Sequence, residues 1–272
     1  MATITRGYAS TRFGQVHYRS AGERRPDALP LVLLHQTPSS SVMFERLMGE
    51  LAGEVFVFAP DTPGFGGTEA PSAASGERVS VPFYAEVMIA ALEALAIDRC
   101  ALFGHHSGAS IAVAIADTRP ALVTRLALSG PPLLTRAELE ATIPKVSPSR
   151  LDPEGAHLLE VWRRIRAKAK DAPLELCHRE AVQNLHAGLR YGEAYEAVFA
   201  YELEPALQSL RCPTLVMVGP DDPLCASAEP AARACSRGRL ALLPAGGAYI
   251  CDTHTDLVAG ALRGFLRAEG DL

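Results

Sequence analysis

The chain has no stretch approaching the ~18 consecutive apolar residues that a membrane span needs. Its amino terminus, Met1-Ala2-Thr3-Ile4-Thr5-Arg6, carries no apolar segment of the kind that leads a secreted protein. A basic block is missing as well: 26 Lys and Arg against 31 Asp and Glu give a net charge of -5 with the signs interspersed, which argues against a nucleic-acid footprint. The densest basic run, Arg163 to Lys170, is broken by Ile165, Ala167 and Ala169, and reads as the solvated face of an amphipathic helix. Six cysteines (Cys100, Cys177, Cys212, Cys225, Cys235, Cys251) show neither a C-x-x-C pair nor zinc-ligand spacing, so they read as reduced thiols and no metal is expected. Cys100 and Cys212 open apolar runs, whereas Cys225 and Cys251 fall on segments read as loops. These absences point to a soluble, cytoplasmic protein whose partner is a small molecule, with no membrane or nucleic-acid partner, and they leave a homo-oligomer open.

What is present is a long alternation. At 272 residues and 48% hydrophobic the chain can bury one large core. Short runs rich in Val, Leu and Phe alternate with helical patterns, the mark of a parallel sheet covered on both faces. Strands are expected at Leu31 to His35, Val55 to Pro60, Cys100 to Gly104, Leu126 to Ser129, Leu215 to Val218 and Leu240 to Leu243. Thr3 to Ser10 and Gln15 to Arg19 read as an antiparallel hairpin at the sheet's edge. Helices are expected at Ser41 to Leu51, Val81 to Leu95, Ser107 to Thr118 and Thr255 to Arg267, and Ala70 to Gly76 reads as a small-residue loop. The stretch 133–207 breaks the rhythm, with apolar residues at helical spacing and no convincing strand, so it is expected as a helical lid on a core formed by residues 1–132 and 208–272.

The segment Gly104-His105-His106-Ser107-Gly108 has the frame of G-x-S-x-G, in which a residue at a strained strand-to-helix corner projects a nucleophile between two glycines. Histidine stands where the nucleophile belongs. Ser107 comes one position late, and at such a corner one residue redirects a side chain further than a hydrogen bond can follow. His105 and His106 point to opposite faces, so the pair does not read as a metal site.

With the elbow frame, the alternating pattern and the lid together, the whole chain resembles the α/β-hydrolase superfamily, in particular its haloalkane dehalogenase and epoxide hydrolase branch. His35-Gln36-Thr37-Pro38 is similar to that branch's H-G-x-P turn, Asp61-Thr62-Pro63-Gly64-Phe65-Gly66 to its D-x-P-G-x-G loop, and Gly219-Pro220-Asp221-Asp222-Pro223 to the G-x-x-D turn that presents the triad acid. The resemblance implies a cofactor-free α/β fold, the acid role for Asp222, and an oxyanion hole formed by Thr37 and Ser107. The segment that should supply the triad histidine is Pro244-Ala245-Gly246-Gly247-Ala248-Tyr249, where Ala248 holds its place.

Two of three triad positions are therefore changed, and the changes compensate each other: an imidazole has appeared at the elbow and one has left the far turn. A histidine at the elbow reaches about 3 Å further than serine, enough for its distal nitrogen to bond Asp222. The expectation is a His106–Asp222 dyad, a general base beside an oxyanion hole. Gln36, Trp162 and Tyr249 are the expected substrate contacts. Hydrolysis of an ester-like bond in a small apolar carbonyl compound leads. A lyase, isomerase or cyclase working by proton abstraction, and an inactive ligand-binding protein, stay open beside it.

Overall fold

The computed structural model describes residues 2–25, 28–71, 78–143, 146 and 148–268; part of the expected loop Ala70 to Gly76 lies outside them. Eight strands form one sheet: β1 (Thr5–Thr11), β2 (Gly14–Ala21), β3 (Leu31–Leu34), β4 (Val57–Pro60), β5 (Cys100–His105), β6 (Val123–Ser129), β7 (Thr214–Val218) and β8 (Gly238–Leu242), in the order β1-β2-β4-β3-β5-β6-β7-β8. β1 pairs antiparallel with β2, and β2 antiparallel with β4; every other pair is parallel. β3 and β5 are buried along their whole length, because central parallel strands are covered on both faces and so read as unbroken apolar runs.

Helices cover the two faces. On one lie α2 (Val81–Ala94), α3 (Ser107–Thr118), α8 (Leu203–Ser209) and α9 (Cys225–Ala234), packed on Val32, Leu34, Leu102, Leu126 and Val216. On the other, α1 (Glu45–Leu51) and α11 (Thr255–Arg267) pack on Leu31, Leu33, Phe103 and Met217. The two apolar sets alternate along each strand, as the two-residue period of a pleated strand requires. α1 begins later than its sequence pattern suggests, since Ser41–Phe44 forms a 3₁₀ turn first. α9 was not anticipated: its Cys225-Ala-Ser-Ala-Glu-Pro-Ala-Ala-Arg-Ala run buries alanines rather than large apolar residues and contains Pro230. Its presence moves Cys225 from a loop to the start of a helix, and Cys251 lies buried in the short helix α10 (Ile250–Thr253).

Between β6 and β7 run α4 (Arg136–Thr142), α5 (Ala156–Lys168), α6 (Leu174–Ala187), α7 (Arg190–Phe199) and α8, with no strand among the described residues. α5 and α6 share a small apolar cluster of Val161, Ile165, Cys177 and Ala181. α7 and α8 join the main core through Ala194, Val198, Leu203 and Leu207. No helix among the described residues is long and apolar enough to cross a membrane.

Candidate active site

β5 ends at His105 and α3 begins at Ser107, so His106 alone makes the turn, at φ 51° and ψ -116°. A β-carbon residue in that region stores about 1–3 kcal/mol of strain and persists only where its surroundings fix it. The surroundings do so here. A β-carbon on Gly104 would lie 2.4 Å from the Gly108 carbonyl oxygen, and one on Gly108 would lie 2.2 Å from that of Leu34. Both glycines are thus set by close approach of backbone to backbone, which holds the start of α3 against the ends of β3 and β5.

From this corner His106 Nε2 reaches Asp222, 2.9 Å from Oδ2 and 3.1 Å from Oδ1. Asp222 sits just beyond β7, and its Oδ1 also accepts the Leu224 amide at 2.8 Å. Burial by itself would raise the Asp222 carboxyl, but the adjacent imidazole and these hydrogen bonds outweigh it and hold the group well below the usual carboxylate range. An ionised carboxylate only accepts, so Nε2 of His106 is the protonated nitrogen. Nδ1 has no hydrogen-bond partner among the described residues.

His105, expected on the opposite face from His106, instead stacks on this ring because the turn at His106 brings it back over the strand end, with centroids 4.1 Å apart and planes 23° from parallel. Its Nε2 donates to the Ala248 carbonyl at 3.1 Å, and Nδ1 lies 3.0 Å from Ser129 Oγ. Complete burial, reinforced by the neighbouring His106, pushes its pKa down to about 3, so His105 is a neutral ring with a fixed tautomer. The Ala248 backbone also accepts from Gln36 Nε2 at 3.3 Å. Gln36 is buried, and its Oε1 is left without a partner among the described residues.

The oxyanion donors depart from expectation. The Thr37 amide is not open to a ligand: it donates to Ser107 Oγ at 2.6 Å, while the Ser107 hydroxyl donates to Thr37 Oγ1 at 3.0 Å. A serine one residue past the corner points back across the strand ends rather than outward, and the Thr37 turn is what it meets. The Ser107 amide has no acceptor among the described backbone groups. The turn itself is anchored by His35, whose Nδ1 donates to the Gln36 carbonyl at 3.0 Å and whose Nε2 accepts the Thr62 amide at 2.9 Å. Asp61 fixes the neighbouring loop by accepting from His17 Nδ1 and the Ser41 and Gly67 amides.

Tyr249 is buried beside Ala248, as its place in the sequence suggested. Trp162 is not brought to the dyad by any described contact; it packs on the α5–α6 cluster, because its position on α5 shares a face with Val161 and Ile165. Two residues stand nearer. Tyr195, on α7, is 3.3 Å from the Thr37 carbonyl through its hydroxyl. Lys168, the last residue of α5, places Nζ 5.1 Å from the centroid of the Tyr249 ring, although its charge run had read as a solvated face. Aromatic spacing on α7 was the signal for Tyr195; for Lys168 the sequence holds none. His254, the other histidine near the vacant triad position, bonds Thr253 instead. Among the described residues no group of three His, Cys, Asp or Glu is placed to hold a metal ion.

The family model of the alpha/beta hydrolase fold matches residues 30–152. The chain has the α/β-hydrolase fold. Its likeness to a thermophilic esterase of Thermogutta terrifontis covers 97% of this chain and 98% of that one, with a TM-score of 0.78 at 22% identity, a level that speaks for the α/β-hydrolase fold alone. Among curated proteins, a stretch of 110 residues is 34% identical to an uncharacterized hydrolase of Saccharomyces cerevisiae, covering 40% of this chain and 36% of that protein. Another, of 123 residues, is 32% identical to a soluble epoxide hydrolase of a Corynebacterium species, covering 45% and 40%. The matches thus span well under half of either relative's length.

Proposed function

We propose that the protein is an enzyme in which His106, oriented by Asp222, serves as a general base on a small carbonyl compound without forming an acyl-serine. The observation that carries this reading is the direction of the imidazole. With Nε2–H committed to Asp222 at 2.9 Å, the lone pair belongs to Nδ1, the nitrogen with no hydrogen-bond partner among the described residues. A carboxylate in that position fixes the tautomer and stabilises the cation that forms when the base takes a proton.

The leading reaction is hydrolysis of an ester-like bond, in keeping with the hydrolase and epoxide hydrolase among the relatives. A water held at Nδ1 gives up its proton as its oxygen bonds to the carbonyl carbon. The carbonyl electron pair moves onto oxygen, where the Ser107 amide receives it. Collapse of this intermediate expels the leaving oxygen, which takes the proton back from the imidazolium.

A second reading has its own observation. With the Thr37 amide engaged by Ser107, one of the two donors for a tetrahedral oxyanion is closed, and abstraction of a proton from carbon needs no tetrahedral intermediate. That route makes the protein a lyase, isomerase or cyclase.

Turnover of a panel of small esters and lactones in ¹⁸O-labelled water tests both. Hydrolysis places one labelled oxygen in the acid product, and unlabelled product with turnover selects the second reading. His106→Ala and Asp222→Asn are each expected to lower kcat by roughly 10²–10⁴. Full turnover in His106→Ala overturns both readings.

A further inference from the structure

Tyr249 directly follows Ala248, the residue at the vacant triad position, and its carbonyl starts α10 by accepting the Asp252 and Thr253 amides at 2.9 and 3.0 Å. The turn from Gln36 to Ser39 and helix α6 bracket it: Gln36 Nε2 bonds the Ala248 carbonyl, and Ser39 Oγ bonds Glu180, whose neighbour Arg179 holds Asp252. Tyr249 is 4% exposed, yet it joins none of the three apolar clusters. Apolar packing therefore does not explain its burial. Its hydroxyl makes no hydrogen bond among the described residues. The groups that face it electrostatically are Glu180, Cys177 and Tyr195, and each has bonded elsewhere. Glu180 Oε1 accepts from Ser39 and Arg179, Cys177 Sγ is taken up by Arg166 and the Ala172 carbonyl, and the Tyr195 hydroxyl donates to the Thr37 carbonyl. Gln36 Oε1 and Ser110 Oγ are unbonded and sealed by surrounding atoms; the Tyr249 oxygen is unbonded but not sealed, so it borders free space.

A buried hydroxyl without an acceptor is costly to keep. Burial, reinforced by Glu180, pushes the phenol well above its ordinary value, so the oxygen keeps its proton and the group stays a donor. The reaction has the complementary deficit. With the Thr37 amide held by Ser107, the Ser107 amide is left as the single backbone donor of the pair. We infer that the Tyr249 hydroxyl is the second oxyanion donor, bonding the substrate's carbonyl oxygen as that oxygen takes up charge; the inference rests on reading His106–Asp222 as the reacting site. Both routes open to that base use it, since hydrolysis and proton abstraction alike place negative charge on the same oxygen. The turn that carries a histidine in the family pattern thus supplies a donor from the next residue along. The aromatic ring carries its O–H on a rigid frame, and the Lys168 ammonium, 5.1 Å from the ring centroid, helps to hold it.

Tyr249→Phe removes the hydroxyl and keeps the ring, so the fold should be retained, with an unchanged urea midpoint as the check. Two probes are used on the full chain: phenyl acetate for turnover, and phenyl methylphosphonate, a stable anion with charged oxygens at a tetrahedral centre, for binding by calorimetry. Tyr249→Phe is expected to bind the phosphonate at least about tenfold more weakly than the wild type, and to lower kcat on phenyl acetate by about 10²–10³ with KM within about threefold. Ser107→Ala opens the Thr37 amide, so adding it to Tyr249→Phe should recover at least about threefold in phosphonate affinity, a gain that a side chain serving only as packing does not allow. Unchanged phosphonate affinity in Tyr249→Phe, a loss that Ser107→Ala leaves unrecovered, or no binding of the phosphonate by the wild type overturns the donor. In a His106→Ala background, Tyr249→Phe should still weaken phosphonate binding. Failure of the proposed base therefore appears in turnover, and failure of the donor in binding.

Discussion

Ser107 Oγ accepts the Thr37 amide at 2.6 Å across 70 residues of sequence. The side chain that a quick reading of Gly104-His105-His106-Ser107-Gly108 would take for a nucleophile instead occupies the amide that the family resemblance implies as an oxyanion donor. Its hydroxyl is spent on Thr37 Oγ1, and no imidazole among the described residues bonds it, so none of them is in place to take its proton.

Ser107→Ala therefore makes an unusual prediction. Removal of a hydroxyl from a buried pair should cost about 1 kcal/mol of stability, yet it uncovers the Thr37 amide beside the Ser107 backbone donor. Turnover by the His106 base should be kept or raised. A loss of kcat beyond about tenfold, with the fold intact by circular dichroism, would mean that the hydroxyl takes part in the chemistry.

Gly130 offers a way to disturb the dyad without touching either member. It sits just past β6 at φ +55°, and a β-carbon there would lie 2.7 Å from His106 Cδ2 and 2.9 Å from Nε2. Gly130→Ala should push the ring away from Asp222 and lower kcat by roughly the 10²–10⁴ expected of losing the base, in a protein that still folds because a ring can shift. Gly108→Ala is the contrast: its β-carbon meets the Leu34 and His35 carbonyl oxygens at 2.2 and 2.7 Å, and backbone there cannot move without parting α3 from β3. That variant should lose several kcal/mol, on the scale of severe overpacking or more, and fail to accumulate as soluble protein. Soluble, active Gly108→Ala would contradict the close approach.

How far these features were legible follows from how local their causes are. The strands were readable because burial on both faces forces apolar runs such as Leu31-Val-Leu-Leu, and the corner was readable because its glycine-framed pattern is contiguous, Gly104 meeting Gly108 itself, although the approach that fixes Gly108 is to Leu34 on another strand. α9 escaped because alanines packed under β7 and β8 leave no large apolar stripe. The Ser107–Thr37 closure and the inward turn of Lys168 are contacts between segments far apart in the chain, and nothing near either residue announces them. In the run from Arg163 to Lys170 every charge looks alike; only the end of α5, arriving over Tyr249, singles out the last helical lysine. Trp162, by contrast, obeyed the helical spacing of its neighbours and went into the packing of α5 and α6.

His105 should make the protein acid-sensitive well above the pH at which carboxylates titrate. Its folded pKa is about 3 against an unfolded value near 6.5. Between those values the unfolded chain binds a proton that the folded chain refuses, so folding stability is full above about pH 6.5 and falls by up to about 1.4 kcal/mol per pH unit as the pH drops toward 3. His35, buried and likewise shifted down, adds to the loss with the same sign. Asp222 and Asp61 contribute only lower: their folded values are depressed, so their stabilisation is present above about pH 4 and disappears as the pH falls through those folded values. Urea midpoints from pH 7.5 to 5 should decline in the wild type and decline less steeply in His105→Gln. Equal slopes in the two proteins would remove His105 as the cause.

Arg179 ties the helical stretch to the sheet's far side, and cutting it should loosen the one without unfolding the other. From α6 its Nη1 and Nη2 donate to Asp252 Oδ1 and Oδ2 at 2.8 and 2.7 Å, a two-point contact with α10, while Nε and Nη2 also hold the neighbouring Glu180 at 2.9 and 2.7 Å. Burial opposes the charge on Arg179, but Asp252 and Glu180 more than offset it and raise its pKa further. Glu180 is more enclosed than its partner, and burial raises its carboxyl in spite of the guanidinium. Arg179→Met keeps the apolar stem and removes the cation, leaving two buried carboxylates without their shared donor. Breaking a fully buried pair costs about 3–5 kcal/mol; the partly exposed guanidinium scales this to about 2–3 kcal/mol. The loss should appear first as faster amide exchange in α5 and α6, with β3, β5 and α3 protected as before. Adding Glu180→Gln should recover part of it, since one of the two stranded charges is then gone. If exchange rises uniformly through the sheet instead, or Glu180→Gln gives no recovery, the contact is not a hinge between separate units but one more part of a single cooperative core.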